Sequence, residues 1–405
     1  MGTPLAGGHD RLRGVTRAMA ADSSTDGSPN VLQVCTYYYP FTGGLQRVVR
    51  DLLTGIEDVN FRVLTCRTRG LGGVDEKHGA KVVRVGSLGA LKSTPMSPGF
   101  PYRLRQQLQW ADLVHYHLPF PVGPVSQLLN RGDDTPYVVT FHDDIVGKGP
   151  VVYPYEPVLD RFLAGAERII VTSPQMRDEC DRLAGFREKA AVVPIGIDPP
   201  ASSEAESAGG SADDVPASAV EPRELDGRRL LFVGRLVGFK GVDYLVSAMA
   251  DLDATLSIVG KGPERESLEQ HAREEGVTEK VRFEGFVSEA RLEGLYEEAT
   301  AFVLPSSARN ESFGIVQLEA MQHGLPVVNT ALPTGVPFVS VDGETGLTVP
   351  PKDADALADA VETLLADPER YRRYSENAQH RVRERFTRSR MLADTRAVYR
   401  DALAA

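Results

Sequence analysis

The chain has 405 residues, 42% of them hydrophobic, and a formal net charge of -11. This length suits two or three domains with sizeable cores, and the acidic balance argues against a nucleic-acid-binding protein. No apolar run approaches the roughly 18 residues of a membrane-spanning helix. The three widely separated cysteines, at positions 35, 66 and 180, indicate neither a disulfide framework nor a zinc site and favour a reducing, cytoplasmic compartment.

The first half of the chain predicts a parallel α/β domain. Residues 1–29 are rich in small and polar residues and lack the apolar core of a signal peptide, so we expect a disordered extension. From residue 30 to residue 198, short apolar runs alternate with helical patterns, which is typical of βαβ units. The predicted strands lie at 31–35, 61–65, 82–85, 113–117, 137–142, 168–172 and 191–194.

Residues 199–227 interrupt this alternation. They are rich in Ser, Ala, Glu, Asp, Gly and Pro, which predicts a linker with a disordered acidic insertion. A second α/β series then occupies residues 228–385, with strands predicted at 229–233, 254–259, 281–283, 301–304, 326–329 and 346–349. We therefore predict two doubly wound, Rossmann-like domains that face each other across a cleft.

The segment 311–326, ESFGIVQLEAMQHGLP, follows a predicted buried strand at 301–304. A helix is expected to begin near Gly314, because the apolar residues that follow share one helical face. These residues are Ile315, Leu318 and Met321.

Two carboxylates bracket this segment. Glu311 is expected in the loop at the carboxyl end of the strand, where open α/β sheets bind ligands, and Glu319 inside the helix. The free amides at the helix start can hold phosphate. One segment thus offers a carboxylate for sugar hydroxyls, amides for a diphosphate and a second carboxylate for a ribose.

Two cations follow the strand predicted at 229–233. Arg235 comes directly after Gly234, and Lys240 lies five residues further on. A guanidinium fork and an ammonium point charge both suit phosphate oxygens, although a surface Arg and Lys would give the same pattern. A second glycine turn, which contains Gly262, follows the next strand, but the complete P-loop and the Rossmann glycine fingerprint are absent.

In the first half, Gly43 and Gly44 join the first strand to the first helix and allow close backbone approach to a ligand. His117 and His142 each end a predicted strand on the cleft side, and His142 is the preferred candidate. Two aspartates follow it, but no companion cluster supports a metal site.

No nucleophile elbow, Cys-His-Asn set or zinc motif is present in the sequence, so the chemistry is expected to depend on positioning and charge stabilisation around a phosphate leaving group. Taken together, the motifs resemble glycosyltransferase family 4, the retaining enzymes of the GT-B fold. The matching segments run in order across nearly the whole chain, and only the first 29 residues and the acidic insertion lie outside the match as a whole. They are 43–44, 115–117, 140–144, 194–198, 232–235, 240–241, 260–264, 285–287, 305–306 and 311–319.

The resemblance implies that the C-terminal domain binds a UDP- or GDP-linked sugar, with no metal or cofactor required. The N-terminal domain would bind the acceptor, with His117 and Asp144 as candidate contacts. The last helix, about residues 386–405, would cross back to this domain. The implied catalytic residues are Arg235 and Lys240 on the diphosphate, with Glu311 and His142 on the donor sugar.

The same resemblance assigns the remaining donor contacts. Backbone amides in the segment Phe313, Gly314 and Ile315 would help to hold the diphosphate, with Gly44 close to the phosphates. The other glycines expected to contact the donor are Gly43, Gly234 and Gly262. Glu319 would hold the ribose. The loop that carries Phe286 and Val287 would touch the base.

The sequence departs from the family pattern at Thr334-Gly335-Val336-Pro337, where Gly-Gly-x-x-Glu is more usual. The donor sugar therefore stays open. The chain resembles members that act on cell-surface polysaccharides, protein glycans or lipid-linked oligosaccharides. Two alternatives also stay open: a nucleotide-sugar 2-epimerase with the same two-domain fold, and a non-catalytic sugar-binding subunit.

The charge distribution suggests a membrane contact. Residues 1–200 hold 22 Lys and Arg against 21 Asp and Glu, a net of +1, whereas residues 201–405 hold 23 against 35, a net of -12. Arginine pairs such as Arg47 and Arg50 could touch an anionic surface, with scattered solvated charges as the alternative for any one pair. Together with the segment 100–105, FPYRLR, this asymmetry motivates the hypothesis of peripheral membrane attachment through the N-terminal domain.

Overall fold

The computed structural model describes residues 27–91, 94–130, 132–143, 155–198 and 223–405. The predicted N-terminal extension and the acidic insertion lie almost entirely outside these ranges, as does Asp144. Within them, the chain forms two large sheets of mostly parallel strands flanked by helices, together with a short two-stranded hairpin.

The first domain contains ten strands and five α-helices among the described residues. Its strands are β1 (Asn30–Val34), β2 (Asn60–Cys66), β3 (Gly73–Lys77), β4 (Ala80–Val85), β5 (Ala90–Leu91), β6 (Thr94–Pro95), β7 (Leu113–Leu118), β8 (Tyr137–Phe141), β9 (Arg168–Val171) and β10 (Ala190–Val192). Its helices are α1 (Gly44–Gly55), α2 (Phe100–Leu108), α3 (Val122–Leu129), α4 (Glu156–Gly165) and α5 (Pro174–Glu179).

Eight of these strands form one sheet in the order β10-β9-β8-β7-β1-β2-β4-β3. The central strands β7 and β8 are buried along their whole length, as expected for strands covered by helices on both faces. Three strands escaped the sequence analysis: the antiparallel edge strand β3 and the hairpin of β5 and β6. β3 is mostly charged and exposed, so it carries no hydrophobic signal.

The second domain contains a six-stranded, fully parallel sheet. Its strands are β11 (Arg229–Val233), β12 (Thr255–Val259), β13 (Val281–Gly285), β14 (Ala301–Leu304), β15 (Val327–Thr330) and β16 (Gly346–Val349). The helices that follow are α6 (Val242–Ala248), α7 (Arg265–Glu274), α8 (Glu289–Glu298), α9 (Ile315–Gln322), α10 (Val336–Val339), α11 (Ala354–Leu365), α12 (Pro368–Arg385) and α13 (Arg388–Ala404).

The strand order in this sheet is β13-β12-β11-β14-β15-β16, so the direction of winding reverses between β11 and β14. In the first sheet the corresponding reversal lies between β1 and β7. Ligands of doubly wound sheets bind outside the carboxyl ends of the strands at such reversals. The predicted fold class, two doubly wound domains, is confirmed.

The last helix, α13, belongs spatially to the first domain. It packs against α1, β7 and β8. The chain crosses between the domains where the Ile197 amide donates to the Phe386 carbonyl at 2.8 Å and the Arg388 amide donates to the Ile197 carbonyl at 3.0 Å. Gly196 is required at this crossing, because a Cβ there would lie 2.1 Å from the Thr387 carbonyl oxygen.

Buried polar side chains tie α13 to the first sheet. The Tyr399 hydroxyl accepts a hydrogen bond from Gln33 Nε2 at 2.9 Å and lies 2.7 Å from His115 Nδ1. His115 Nε2 lies 2.6 Å from Thr140 Oγ1, and His117 Nε2 lies 2.7 Å from Gln33 Oε1. All five side chains are buried, so each must find its partner within the protein.

Burial also determines the charge of the two histidines. It lowers the pKa of His115 to about 3 and that of His117 well below the usual histidine value, with a smaller contribution from neighbouring histidines. Both imidazoles are therefore neutral in the folded protein near neutral pH.

We predict that acidification destabilises the protein through these histidines. Their pKa values in the folded state lie below that of an unfolded chain, so the unfolded state takes up protons first as the pH falls. The stabilisation is present above about pH 6.5 and is lost below it, by about 1 kcal/mol per histidine at about pH 5.5. Thermal unfolding across this pH range measures the loss.

A His115→Gln variant removes one titrating group, so its stability should fall less over the same pH range than that of the unmodified protein. His380→Gln, in α12 and outside the cluster, is the matched control and should follow the unmodified protein. An equal pH dependence in His115→Gln and the unmodified protein would contradict the prediction.

Candidate active site

The predicted donor-binding residues converge where the winding of the second sheet reverses. Arg235 follows β11 and is exposed, and Lys240 ends a short 3-10 helix, Gly238–Lys240, in the same connection. Glu311 follows the neighbouring strand β14. The topology of the sheet therefore brings together two cations and a carboxylate that are about 70 residues apart in the chain.

Lys240 and Glu311 form an ion pair between Nζ and Oε2. The Ser306 hydroxyl donates to the same carboxylate oxygen at 3.0 Å. Glu311 is only 7% exposed, and burying a carboxylate is costly unless it is paired and hydrogen-bonded in this way. Arg235, by contrast, has no ion-pair partner among the described residues, so its guanidinium is available to an anionic ligand.

Glycines hold the surrounding loops in direct backbone contact. A Cβ on Gly241 would lie 2.1 Å from the Pro305 carbonyl oxygen, and one on Gly262 would lie 2.0 Å from the Leu236 carbonyl oxygen. Gly262, predicted to contact the donor, is therefore also required for the packing of its loop. Gly234 is close to its neighbours as well, with its Cβ position 3.0 Å from the Phe232 ring.

Helix α9 begins at Ile315, as predicted, and Gly314 precedes it with a φ of 73°. Only glycine adopts this left-handed conformation without strain. The first backbone amides of the helix have no acceptor within it and so can donate to an anion beside Gly314. Phe313, which leads into this turn, is buried in the core of the second domain.

The amide side chains of Gln317 and Asn329, which the sequence analysis missed, fix this helix to the sheet. Gln317 Nε2 donates to the Phe313 and Val336 carbonyls at 3.2 and 3.3 Å. Asn329 Nδ2 donates to Gln317 Oε1 at 2.9 Å. Both residues are fully buried. The signal available in the sequence was an amide residue among apolar neighbours in each of these two elements.

Glu319, the predicted ribose ligand, forms an ion pair with the first domain. Its Oε1 accepts from Arg47 in α1 at 2.5 Å, and its Oε2 accepts from the Tyr296 hydroxyl at 3.0 Å. The sequence analysis considered Arg47 only as part of a surface pair. Its place one turn after the two glycines is the signal that could have pointed to the cleft.

The glycine turn of the first domain faces α9 across the cleft. A Cβ on Gly44 would lie 3.0 Å from the Ile315 side chain, whereas Gly43 is in extended backbone that any residue adopts. The carboxyl edges of the two sheets therefore meet at this point, and Gly44 leaves little room between them.

His142 follows β8 and is half-buried. Its Nε2 lies 3.0 Å from His117 Nδ1, and burial lowers the pKa of His142 to about 4, so the ring is neutral near neutral pH. His117 itself is completely buried and bonded at both nitrogens. It therefore cannot contact an acceptor in this conformation, in contrast to the predicted role. The other predicted acceptor residue, Asp144, lies outside the described residues.

The loop after β13 presents an aromatic ring to solvent. Phe286 is 78% exposed, and Lys261 Nζ lies 5.4 Å from the centroid of its ring. The neighbouring Val287 instead packs against the core of the domain. A large exposed ring at the edge of a cleft offers a flat surface on which a planar group can stack.

The segment that departs from the family pattern lies at the domain interface. The Gly335 amide donates to the Ser312 carbonyl at 2.7 Å, and a Cβ on Gly335 would lie 3.2 Å from Ser173 Cβ of the first domain. A small cavity beside it is shared by the two domains. Its lining residues are Phe141, Met176, Cys180, Arg309, Pro333 and Thr334.

Two family models match the chain, and together they span both domains. The Glycosyltransferase Family 4 model matches residues 42–200, and the Glycosyl transferases group 1 model matches residues 217–381.

In the described ranges, no group of three or more His, Cys, Asp or Glu side chains is placed to bind a metal ion.

Curated relatives match over most of their length. The D-rhamnosyltransferase WbpZ of Pseudomonas aeruginosa is 31% identical over 359 residues, which cover 87% of this chain and 90% of that protein. The O-antigen chain mannosyltransferase C of Escherichia coli is 29% identical over 379 residues, which cover 89% and 95%.

Solved structures share the fold over nearly the whole chain. The sucrose-phosphate synthase of Thermosynechococcus elongatus superposes with a TM-score of 0.74 at 25% identity, over 93% of this chain and 99% of that one. HepE of Anabaena, solved in complex with UDP, superposes with a TM-score of 0.71 at 20% identity, over 92% and 99%. With these similarities over both domains, the chain belongs to glycosyltransferase family 4 and is a glycosyltransferase of the GT-B fold.

Proposed function

We propose that this enzyme transfers a hexose-type sugar, with retention of configuration, from a nucleoside diphosphate sugar to a cell-surface polysaccharide or another lipid-linked glycan. The observation that carries the proposal is the cluster of Arg235, Lys240 and Glu311 where the winding of the second sheet reverses, with Gly44 opposite the start of α9. HepE, which shares the fold, was solved with UDP bound.

The relatives favour a sugar with the mannose configuration. One is named a rhamnosyltransferase and the other a mannosyltransferase of O-antigen chains. D-Rhamnose is the 6-deoxy form of D-mannose, so the two sugars share the configuration of every ring carbon. Both names denote glycosyl transfer, which favours the transferase over an epimerase or a non-catalytic subunit.

The ion pair of Lys240 with Glu311 suggests how the donor enters. Each of these two charges neutralises the other. The diphosphate of the donor replaces Glu311 as the counter-ion of Lys240 and gains the free guanidinium of Arg235. The released Glu311 carboxylate then accepts hydrogen bonds from hydroxyls of the donor sugar.

The chemistry needs no protein nucleophile. The bond between the anomeric carbon and the diphosphate oxygen breaks, and its electron pair leaves with the phosphate. The acceptor oxygen bonds to the anomeric carbon on the same face, and its proton passes to the departing phosphate oxygen. Arg235, Lys240 and the first amides of α9 stabilise the negative charge that develops on the leaving group.

We predict that Glu311→Gln lowers the kcat of donor hydrolysis, the transfer of the sugar to water, by about 100-fold, because the variant loses a charged acceptor that orients the sugar in the transition state. The measurement is donor hydrolysis and thermal shift with a panel of UDP- and GDP-linked sugars, which also identifies the donor.

Glu266→Gln, an exposed position in α7, is the matched control and should retain full activity. Transfer by Glu311→Gln at the normal rate would remove Glu311 from the site. Epimer formation, or the absence of turnover with every donor, would favour one of the two alternative functions.

Phe286 and Glu319 extend the proposed donor site toward the nucleoside. The ribose hydroxyls donate to Glu319 in place of Arg47, and the base stacks on the exposed Phe286 ring. The support for stacking is the exposure of this ring at the carboxyl end of β13.

We predict that Phe286→Ala raises the KM for the donor by about tenfold with a smaller change in kcat, since base stacking stabilises bound donor and transition state alike. Steady-state kinetics with varied donor concentration test this. Tyr102→Ala, another exposed aromatic residue but in α2 of the first domain, should leave the KM unchanged. An unchanged KM in Phe286→Ala would place the base elsewhere.

The first domain offers a surface for peripheral membrane contact. No helix in the described ranges combines the length and apolar character needed to cross a bilayer. In the segment that motivated the membrane hypothesis, Phe100 and Leu104 are buried in the core, which leaves Tyr102, Arg103 and Arg105 outside. The larger apolar surface lies instead around the β5–β6 hairpin.

We define the hairpin surface as Leu71, Leu88, Leu91 and Met96, all exposed, with Leu71 at 90%. Backbone hydrogen bonds hold these segments together: Gly70 pairs with Ser87, and the Leu88 amide donates to the Met96 carbonyl at 2.9 Å. Arg67 and Arg69 are exposed in the adjoining segment. Apolar side chains beside arginines suit a bilayer surface that carries anionic lipids.

We predict that the double variant Leu71→Ser/Leu88→Ser lowers binding to vesicles of anionic phospholipid by at least about tenfold. Two leucines that become buried in the bilayer on binding contribute about 3 kcal/mol. Sedimentation with vesicles measures this. Arg103→Glu/Arg105→Glu tests the neighbouring helix α2 in the same assay. Normal vesicle binding by both double variants would contradict a membrane contact through this face.

A further inference from the structure

A continuous chain of hydrogen bonds connects the last helix to His142. It runs from Tyr399 through Gln33 and His117, with successive distances of 2.9, 2.7 and 3.0 Å. Tyr399, Gln33 and His117 are at most 1% exposed, so water cannot replace any partner. Two opposite orders of donors and acceptors would satisfy every member of such a closed chain, and the orientation of the Gln33 amide selects one of them.

The amide of Gln33 sets the direction. Its nitrogen donates to the Tyr399 hydroxyl, and its oxygen faces His117 Nε2. Because an amide oxygen only accepts, His117 Nε2 must carry a hydrogen. A neutral imidazole has one N–H, so His117 Nδ1 carries only a lone pair and accepts from His142 Nε2.

The other end of the chain is consistent with this direction. The Tyr399 oxygen accepts from Gln33, which leaves its own hydrogen for His115 Nδ1 at 2.7 Å. His115 then carries its hydrogen on Nε2 and donates to Thr140 Oγ1 at 2.6 Å. Every polar atom of the chain has a partner of the right kind, so reversing one member would leave a buried group unsatisfied.

We propose that Gln33 and Tyr399 are positioning residues that hold His142 in its neutral Nε2–H tautomer, so that Nδ1 accepts a hydrogen bond from a hydroxyl of the donor sugar. This inference rests on the proposed donor contact of His142. Nδ1 of His142 is the ring nitrogen that has no hydrogen-bond partner among the described residues, and the side chain is half-buried.

The tautomer matters because the two forms of a neutral histidine offer opposite groups to a ligand. With the hydrogen on Nε2, Nδ1 accepts from a sugar hydroxyl, whereas the other tautomer would present an N–H to it. A residue that hydrogen-bonds to one ring nitrogen of a functional histidine therefore determines whether the other nitrogen presents an N–H or a lone pair to the ligand.

The experiment is NMR spectroscopy of the full-length protein labelled with 15N at histidine. Long-range correlations between ring nitrogens and carbon-bound hydrogens distinguish the protonated nitrogen from the unprotonated one. The signals of His142 are assigned by their loss in His142→Asn. We expect Nε2–H for His142 in the unmodified protein; Nδ1–H, or exchange between the two forms, would overturn the proposal.

Gln33→Met removes both ends of the amide and leaves His117 Nε2 without an acceptor. His117 can then move its hydrogen to Nδ1 and donate to His142, which drives His142 to the Nδ1–H form. We expect this shift in the spectrum and a kcat lowered by about tenfold, the effect of one lost hydrogen bond. A His142 tautomer unchanged in Gln33→Met would also overturn the proposal.

Gln127→Met is the matched control, because Gln127 is also buried in the first domain but bonds to Tyr116 instead. Its His142 spectrum should match that of the unmodified protein. If Gln33→Met fails to fold, Tyr399→Phe removes a single oxygen from the same chain and should give a mixture of tautomers. The spectrum is read without substrate, so a failed donor assay does not affect it and concerns only the proposed function.

Discussion

Parallel strand pairing is the constraint on which the rest of the molecule depends. In a parallel sheet every strand ends at the same edge, so each following loop delivers its residues there. In the second sheet, that rule places Lys240 and Glu311 side by side from different connections. In the first, it places Gly44 and His142 on the edge that faces them. A small number of polar residues can therefore form a site although they are dispersed along the chain.

The carboxylates of the site are neutralised in pairs by cations of the protein. Glu311 pairs with Lys240 inside one domain, and Glu319 pairs with Arg47 across the cleft. Such pairing avoids the large cost of a carboxylate left unpaired in a low-dielectric environment. A ligand that carries both phosphate and hydroxyl groups can exchange with these partners group for group, so binding rearranges charge without exposing it.

The sequence was sufficient for the fold and for locating the glycines and charges that follow its strands. Buried strands of about five residues, separated by helices, carry a strong hydrophobic signal, and glycines or charges directly after them are easy to recognise. Gly314 and the start of α9 were predicted for this reason. The exposed edge strand β3 was missed because charged residues dominate it.

The partners of the site residues could not be predicted in the same way. Arg47 and Glu319 are 272 positions apart, and Gln33 and Tyr399 are 366 apart. Neither pair shares a motif, a strand or a local period, and each depends on the packing of a helix from one domain against the other. The prediction that His117 contacts the acceptor has the same origin. Its side chain lies entirely inside the core, and the sequence alone does not show the partners that enclose it.

The crossing at Ile197 has a mechanical consequence. There the chain enters and leaves the neighbourhood of the second domain through two backbone segments that are bonded to each other. Both passages lie side by side, so a rigid rotation of one domain against the other has its pivot at this point. Contacts near the pivot persist during such a rotation, while those across the mouth of the cleft separate most. The ion pair of Arg47 with Glu319 would then hold the two domains together. The distance between this ion pair and the pivot would determine how wide the cleft opens.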